Sequence, residues 1–162
     1  MATTKTSLEE YLGTSYRPDV EYIDGELQAR NVGEIEHAEM ILAVLGWFLG
    51  QREEWQVRIL PDVRVQVRPQ QFRVPDVCLC PATNTDTRIV TTPPLVIEVL
   101  SPEDRIGDYR ERIADYNRMG IRGVWLIDSQ TRKGWDCSSG SWLETVLFRL
   151  PDPPVFLDLR AI

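Results

Sequence analysis

With 162 residues, 43% of them hydrophobic and 27% charged, the chain is long enough to bury a sizeable core and has the make-up of one soluble globular domain. A formal net charge of −7 excludes general phosphate binding over the whole surface, which depends on Lys and Arg releasing counterions. A local basic groove stays open, because every basic residue apart from Lys5 and Lys133 is Arg.

Residues 1–6 carry no apolar segment of the kind a signal peptide needs and are expected to form a disordered tail. Ser7-Leu8-Glu9-Glu10 fits a capping box and predicts a short helix to about Leu12. Asp24-Gly25 lies between Glu21-Tyr22-Ile23 and Glu26-Leu27-Gln28, a strong signal for a two-residue hairpin. Glu34 to Glu54 is the clearest helix, with Ile41, Leu42, Leu45, Phe48 and Leu49 at helical spacing. Within it, Met40 to Gly50 is uncharged but too short to span a bilayer, so no membrane role and a cytoplasmic location are expected. His37 lies one turn before Ile41, as a core or capping histidine or at the mouth of a site shared with Asp76.

From Trp55 to Arg68 the pattern turns to period two, and Pro69-Gln70-Gln71 turns the chain into a second strand, Phe72 to Cys80. These two are expected to pair antiparallel, with Pro75 marking a distortion or a pairing gap. A polar loop from Pro81 to Thr92 precedes the apolar strand Leu95 to Leu100. Ser101-Pro102-Glu103 is read as the start of a helix to about Met119, with Ile106, Tyr109, Ile113 and Tyr116 as its apolar stripe. Asp108 and Arg112, four apart beside that stripe, have the spacing of a solvated helical ion pair. The strand Val124 to Asp128 follows, placed by the helical crossover near Leu95–Leu100. Segments 131–137 and 142–150 are expected to close the sheet as a hairpin, and the rest of the chain reads as a linker with a last apolar piece, Val155-Phe156-Leu157. Cys78, Cys80 and Cys137 are too few for a zinc site in a chain with one His and read as structural thiols.

The central anomaly is a pair of acids in apolar strands, Asp76 in Val74-Pro75-Asp76-Val77 and Glu98 in Ile97-Glu98-Val99-Leu100, 22 positions apart. A buried, unpaired carboxylate costs several kcal/mol or takes up a proton. Either acid alone fits a strand end, a solvent-facing position or a buried ion pair. Together on neighbouring strands they would be compensated at once by a divalent cation.

These segments, in this order, resemble the Uma-type family of putative restriction endonucleases within the PD-(D/E)xK nuclease superfamily. The resemblance runs from about Leu8 to Leu157-Asp158-Leu159, carried by Ile23-Asp24-Gly25-Glu26-Leu27, His37, Val74-Pro75-Asp76-Val77, Ile97-Glu98-Val99-Leu100-Ser101-Pro102, Asp108, Tyr116 and Trp125-Leu126-Ile127-Asp128. It implies an α/β (α+β) restriction-endonuclease-like core, a mixed sheet flanked by helices. It also implies Mg²⁺ or Mn²⁺ on Asp76, Glu98 and the Val99 carbonyl, DNA as substrate, and a homodimer. Glu26 would match an acid contributed by the N-terminal part, and His37 the histidine that opens the long helix. The superfamily lysine, usually two residues after the acid, is replaced by Leu100; the family's relocated position is Arg112. Arginine can stabilise charge on a phosphate in transit but is no general base near neutral pH. Three functions follow: a metal-dependent DNA endonuclease, an attenuated nuclease fold that binds nucleic acid or protein, and a hydrolase of another phosphoester.

Overall fold

The structure, a computed structural model, describes residues 5–30, 34–102, 104 and 106–162, with Ile106 described by its backbone alone. Lys5 and Thr6, placed by sequence in the tail, are tied to the first hairpin: Thr6 N–H donates to the Gly25 carbonyl and Lys5 Nζ to that of Asp24. Residues 1–4 lie outside the described part. Helix α1 (Leu8–Gly13) opens as expected, with Ser7 Oγ accepting from Glu10 N–H at 3.1 Å. Strands β1 (Glu21–Ile23) and β2 (Glu26–Gln28) meet at Asp24 and Gly25, whose φ values of 49° and 94° are those a tight hairpin turn needs.

Helix α2 (Ile35–Trp55) buries Met40, Val44 and Phe48, one residue every four. The stripe read from the sequence is rotated relative to this one: Leu42 and Leu49 are exposed, and Ile41 and Leu45 only flank the core. The apolar residues circle most of the helix, so periodicity did not single out the buried face.

The long antiparallel pair exists but is broken on both sides at one level. Strand β3 (Arg58–Pro61) pairs with β6 (Val77–Cys80), and β4 (Arg64–Arg68) with β5 (Gln71–Arg73). Asp62-Val63 interrupts one strand and Val74-Pro75-Asp76 the other, where Pro75 has no N–H to give to a ladder. Asp62 N–H still reaches the Asp76 carbonyl across the gap at 3.3 Å. The hairpin therefore passes from one sheet, ordered β2-β1-β5-β4-β7 with β7 at Ile89–Val90, into the central one.

The central sheet has the order β11 (Leu143–Glu144), β10 (Gly134–Asp136), β9 (Gly123–Asp128), β8 (Leu95–Leu100), β6, β3, with β8 and β9 parallel and its other pairs antiparallel. Helix α3 (Ile106–Met119) makes the crossover between them. It begins later than Ser101-Pro102-Glu103 suggested: Asp104 Oδ2 accepts from Ser101 N–H, Ser101 Oγ and the Tyr109 hydroxyl, tying this stretch into a turn ahead of the helix. Glu103 and the Ile106 side chain lie outside the described residues, while Tyr109, Ile113 and Tyr116 form the buried stripe.

All six residues of β8 are buried, and they alternate between two cores. Leu95, Ile97 and Val99 pack with α2 on one face; Val96 and Leu100 pack with α3 on the other. Each such side chain contributes ~1.5–3 kcal/mol on leaving water, so β8 anchors both layers. The chain end is also more structured than a linker. After the short pair β10 (Gly134–Asp136) and β11 (Leu143–Glu144), β12 (Leu147–Pro151) and β13 (Pro154–Asp158) form a separate hairpin. Phe148, Leu150, Val155 and Leu157 of that hairpin enter the α2-side core. The three cysteines are buried and free, and burial pushes the Cys78 and Cys137 thiols up to about 12, where they are unreactive. Among the described residues no helix is long and apolar enough to cross a membrane.

Candidate active site

The break in the hairpin releases Asp76 from the ladder at the point where β6 meets β8. Its Oδ2 accepts the Val99 N–H at 2.7 Å, next in sequence to Glu98, and lies 3.5 Å from His37 Nε2. Its Oδ1 is 2.5 Å from Arg30 Nη2, and the same guanidinium reaches Asp62 Oδ1 at 2.5 Å. Glu98, fully buried on the α3 face of β8, accepts the Tyr116 hydroxyl on Oε1 at 2.6 Å and faces Arg112 Nη1 across 3.5 Å on Oε2. Arg112 also reaches Glu21 Oε1 at 3.4 Å, and its side chain is only 14% exposed. Its inward course corrects the expectation of a solvated pair with Asp108, which is exposed.

Glu21 is held in turn by Val74 N–H and by Arg73, whose guanidinium also binds Asp115. Around this network lies a cavity of about 260 Å³ whose walls include Glu21, Arg30, His37, Asp76, Tyr109 and Arg112.

The electrostatics follow from burial. Removal from water pushes the Glu98 carboxyl up to about 7; Arg112 pulls it down, Asp76 pushes it up, and Tyr116 and Arg30 favour the ionised form. His37 is raised by its hydrogen bond to Asp76 despite partial burial, with the Val99 backbone adding to the effect. Burial works against the Arg30 and Arg112 cations, but the surrounding carboxylates more than offset it and raise both.

Of the residues singled out by sequence, Asp76, Glu98, Val99, His37 and Arg112 converge. Glu26 does not: it is exposed on β2, opposite Ile23, and lines no part of the cavity. The N-terminal acid at the site is Glu21, on the partner strand. Neither lysine is there either, since Lys5 sits on the hairpin turn and Lys133 faces Glu144 near the sheet edge. Sequence reading missed Glu21, Arg30, Arg73 and the role of Tyr116. Glu21 carried the same mark as Asp76 and Glu98, an acid beside apolar residues in a strand. Arg30 carried none, because its partner Asp76 is 46 residues away.

The donors suit a hard cation in kind. The carboxylates of Asp76 and Glu98 and the carbonyl of Val99 offer oxygen, the donor type that Mg²⁺ and Mn²⁺ take. Among the described residues no three His, Cys, Asp or Glu side chains gather to hold an ion by themselves. Water would complete the shell, with a phosphate oxygen replacing one water when substrate is bound, as is usual for Mg²⁺.

A mixed sheet with helices on both faces and acids at the junction of β6 and β8 defines a restriction-endonuclease-like α/β protein. The fold matches the crystal structure of a putative nuclease of the DUF820 group from Anabaena variabilis, with a TM-score of 0.78, 18% identity and 94% of each chain covered. Residues 8–153 match the Uma2 family model, described as "Putative restriction endonuclease", and the chain belongs to that family. A Synechocystis protein, slr1290, is 33% identical over 149 residues, covering 86% of this chain and 78% of its own.

Proposed function

We propose that this protein is a divalent-metal-dependent endonuclease that hydrolyses DNA phosphodiester bonds, with Mg²⁺ or Mn²⁺ as the metal. The observation that carries the reading is the Asp76 carboxylate bound to Val99 N–H, one residue from fully buried Glu98. Asp76, Glu98 and the Val99 carbonyl are the residues that would hold the ion. Bound there, a divalent cation lowers the pKa of water and offsets charge on the scissile phosphate.

The chain's own groups do the rest. Tyr116 fixes one oxygen of Glu98. Arg112, forked between Glu98 and Glu21, offers permanent positive charge to the phosphate and no proton acceptor. Glu21, in place of Glu26, keeps that guanidinium aimed at the cavity. His37, raised and beside Asp76, donates a hydrogen bond to a phosphate oxygen or orients water. A homodimer would bring one such site to each strand of a duplex, and light scattering on the purified protein measures that state.

A second reading has its own observation. With Arg30 2.5 Å from Asp76 and arginine where the superfamily has lysine, the site already holds cations that could leave it a slow nuclease or a nucleic-acid-binding module. One assay separates the two: cleavage of plasmid, linear duplex, single-stranded DNA and RNA with Mg²⁺ or Mn²⁺, beside Asp76→Asn. Metal-dependent cutting of DNA lost in Asp76→Asn supports the nuclease. Binding of DNA without turnover by the parent protein would move the assignment to the binding module.

A further inference from the structure

We infer that Arg30 is an exchangeable occupant of the Asp76 carboxylate, which holds the place of a divalent cation and yields to one while staying tethered through Asp62. This rests on the metal-site reading above and adds a competing residue to it. The two oxygens of Asp76 are not equivalent. Oδ2 is tied to the main chain through Val99 N–H and faces His37; among the described residues, Oδ1 has the Arg30 guanidinium alone. Oδ1 is therefore the oxygen that an incoming cation can take without breaking a strand contact.

Arg30 does the electrostatic work that an ion would do. Its guanidinium stands 2.5 Å from Asp76 Oδ1 with its side chain only 13% exposed, and so supplies positive charge where the ion would. An ion and a guanidinium drawn to one oxygen repel each other strongly in a site of low dielectric. Metal binding at Asp76 therefore requires the arginine to withdraw.

Withdrawal is built in. Arg30 lies in the connection between β2 and α2, outside both elements, so no ladder or helical turn fixes it. Its second partner, Asp62, sits in the gap between β3 and β4 with its side chain 58% exposed, against 3% for Asp76. Letting go of the inner acid leaves the guanidinium held by the outer, more exposed one, on a residue that itself lines the cavity, where a phosphate would meet it. The arrangement costs metal affinity and gains a cation positioned for substrate.

The test is calorimetric titration of MnCl₂ into the full chain without nucleic acid, for the parent, Arg30→Ala, Arg30→Gln and Asp76→Asn. Removing the competitor should tighten binding in Arg30→Ala and Arg30→Gln by about tenfold or more, the scale on which groups around metal ligands act, and Asp76→Asn should lose it. Two chemically different replacements guard against one variant failing to fold. Equal or weaker affinity in both Arg30 variants, with binding still lost in Asp76→Asn, would overturn the exchange and leave the metal site standing. No Mn²⁺ bound by the parent or either Arg30 variant would remove the metal site and the exchange together.

Discussion

Tyr116 donates its hydroxyl to Glu98 Oε1 at 2.6 Å, from the third turn of α3 to the middle of β8, and both side chains are fully buried. The bond gives a carboxylate with no water around it one strong donor, and it favours the ionised form. Tyr116→Phe should keep the ring in its core and lose only the donor. We expect a loss of about 1.5–3 kcal/mol in stability at pH 8, the range for hydrogen bonds to charged groups. The acid limb of the pH–rate profile should also move to higher pH, because Glu98 becomes harder to ionise. An unchanged profile would mean that Glu98 is not the group whose ionisation the reaction needs.

The two N-terminal acids offer a direct comparison. Glu26 is exposed on β2, whereas Glu21 on β1 is buried and joins Arg112, Arg73 and Val74. Glu26→Gln should leave both cleavage and unfolding within experimental scatter, as surface changes usually do. Glu21→Gln should reduce cleavage about 10–100-fold by loosening Arg112. Loss of cleavage in Glu26→Gln with none in Glu21→Gln would restore the assignment to β2.

How much of this was legible in the sequence depended on whether the signal was local. The hairpin at Asp24-Gly25, the capped start of α1 and the β8-α3-β9 crossover rest on turn chemistry and spacing, and the structure contains them. Asp76 and Glu98 were visible because an acid in an apolar strand is anomalous wherever the strand goes. Pro75 foretold the gap, but the matching break at Asp62-Val63 had no comparable mark, so β3 and β4 read as one strand. The β12–β13 hairpin was hidden in a proline-rich turn that resembles a linker. Side chains whose partners lie far along the chain were the least legible. By spacing alone Arg112 looked like a surface residue four positions from Asp108; only the fold, with α3 in the core it shares with β8, sets it against Glu98 and Glu21.

In the proposed reaction Arg112 is the cation offered to the phosphate. Its fork spans Glu98 at 3.5 Å and Glu21 at 3.4 Å. Arg112→Met leaves two buried acids short of a cation, and breaking a buried pair in this way costs about 3–5 kcal/mol. Cleavage should fall by about 10²–10³, the usual consequence of losing an electrostatic stabiliser. Arg112→Lys restores the charge as a single point that cannot fork, yet it can release a proton when desolvated. Its rate should stay within about tenfold of the parent, and a faster rate would mean that the arginine attenuates the enzyme. A lysine variant as slow as the methionine one would show that the two-carboxylate fork matters more than the charge.

Stability of the metal-free protein should fall as pH rises. Glu98 is ionised in the unfolded chain above its ordinary 4.5 but in the folded chain only above about 7, so the folded state binds the extra proton between those values. Its penalty is absent below pH 4.5, grows to about pH 7 and is level beyond, amounting to something on the order of 3 kcal/mol. His37 acts in the same direction: its raised value stabilises the fold below its ordinary 6.5, and this is lost as pH rises through the folded value. The lowered acids Asp86 and Asp158 are fully exposed, and their effect is already complete above their ordinary 3.8, so neither opposes this trend. Urea unfolding in the presence of a chelator should therefore give a lower free energy at pH 8.5 than at pH 5. Glu98→Gln should remove the Glu98 part of the difference and leave the part due to His37, which has the same sign. Equal stability at the two pH values in the parent protein would mean that Glu98 ionises in its buried position as easily as in water, and that Arg112, Arg30 and Tyr116 fully compensate its burial.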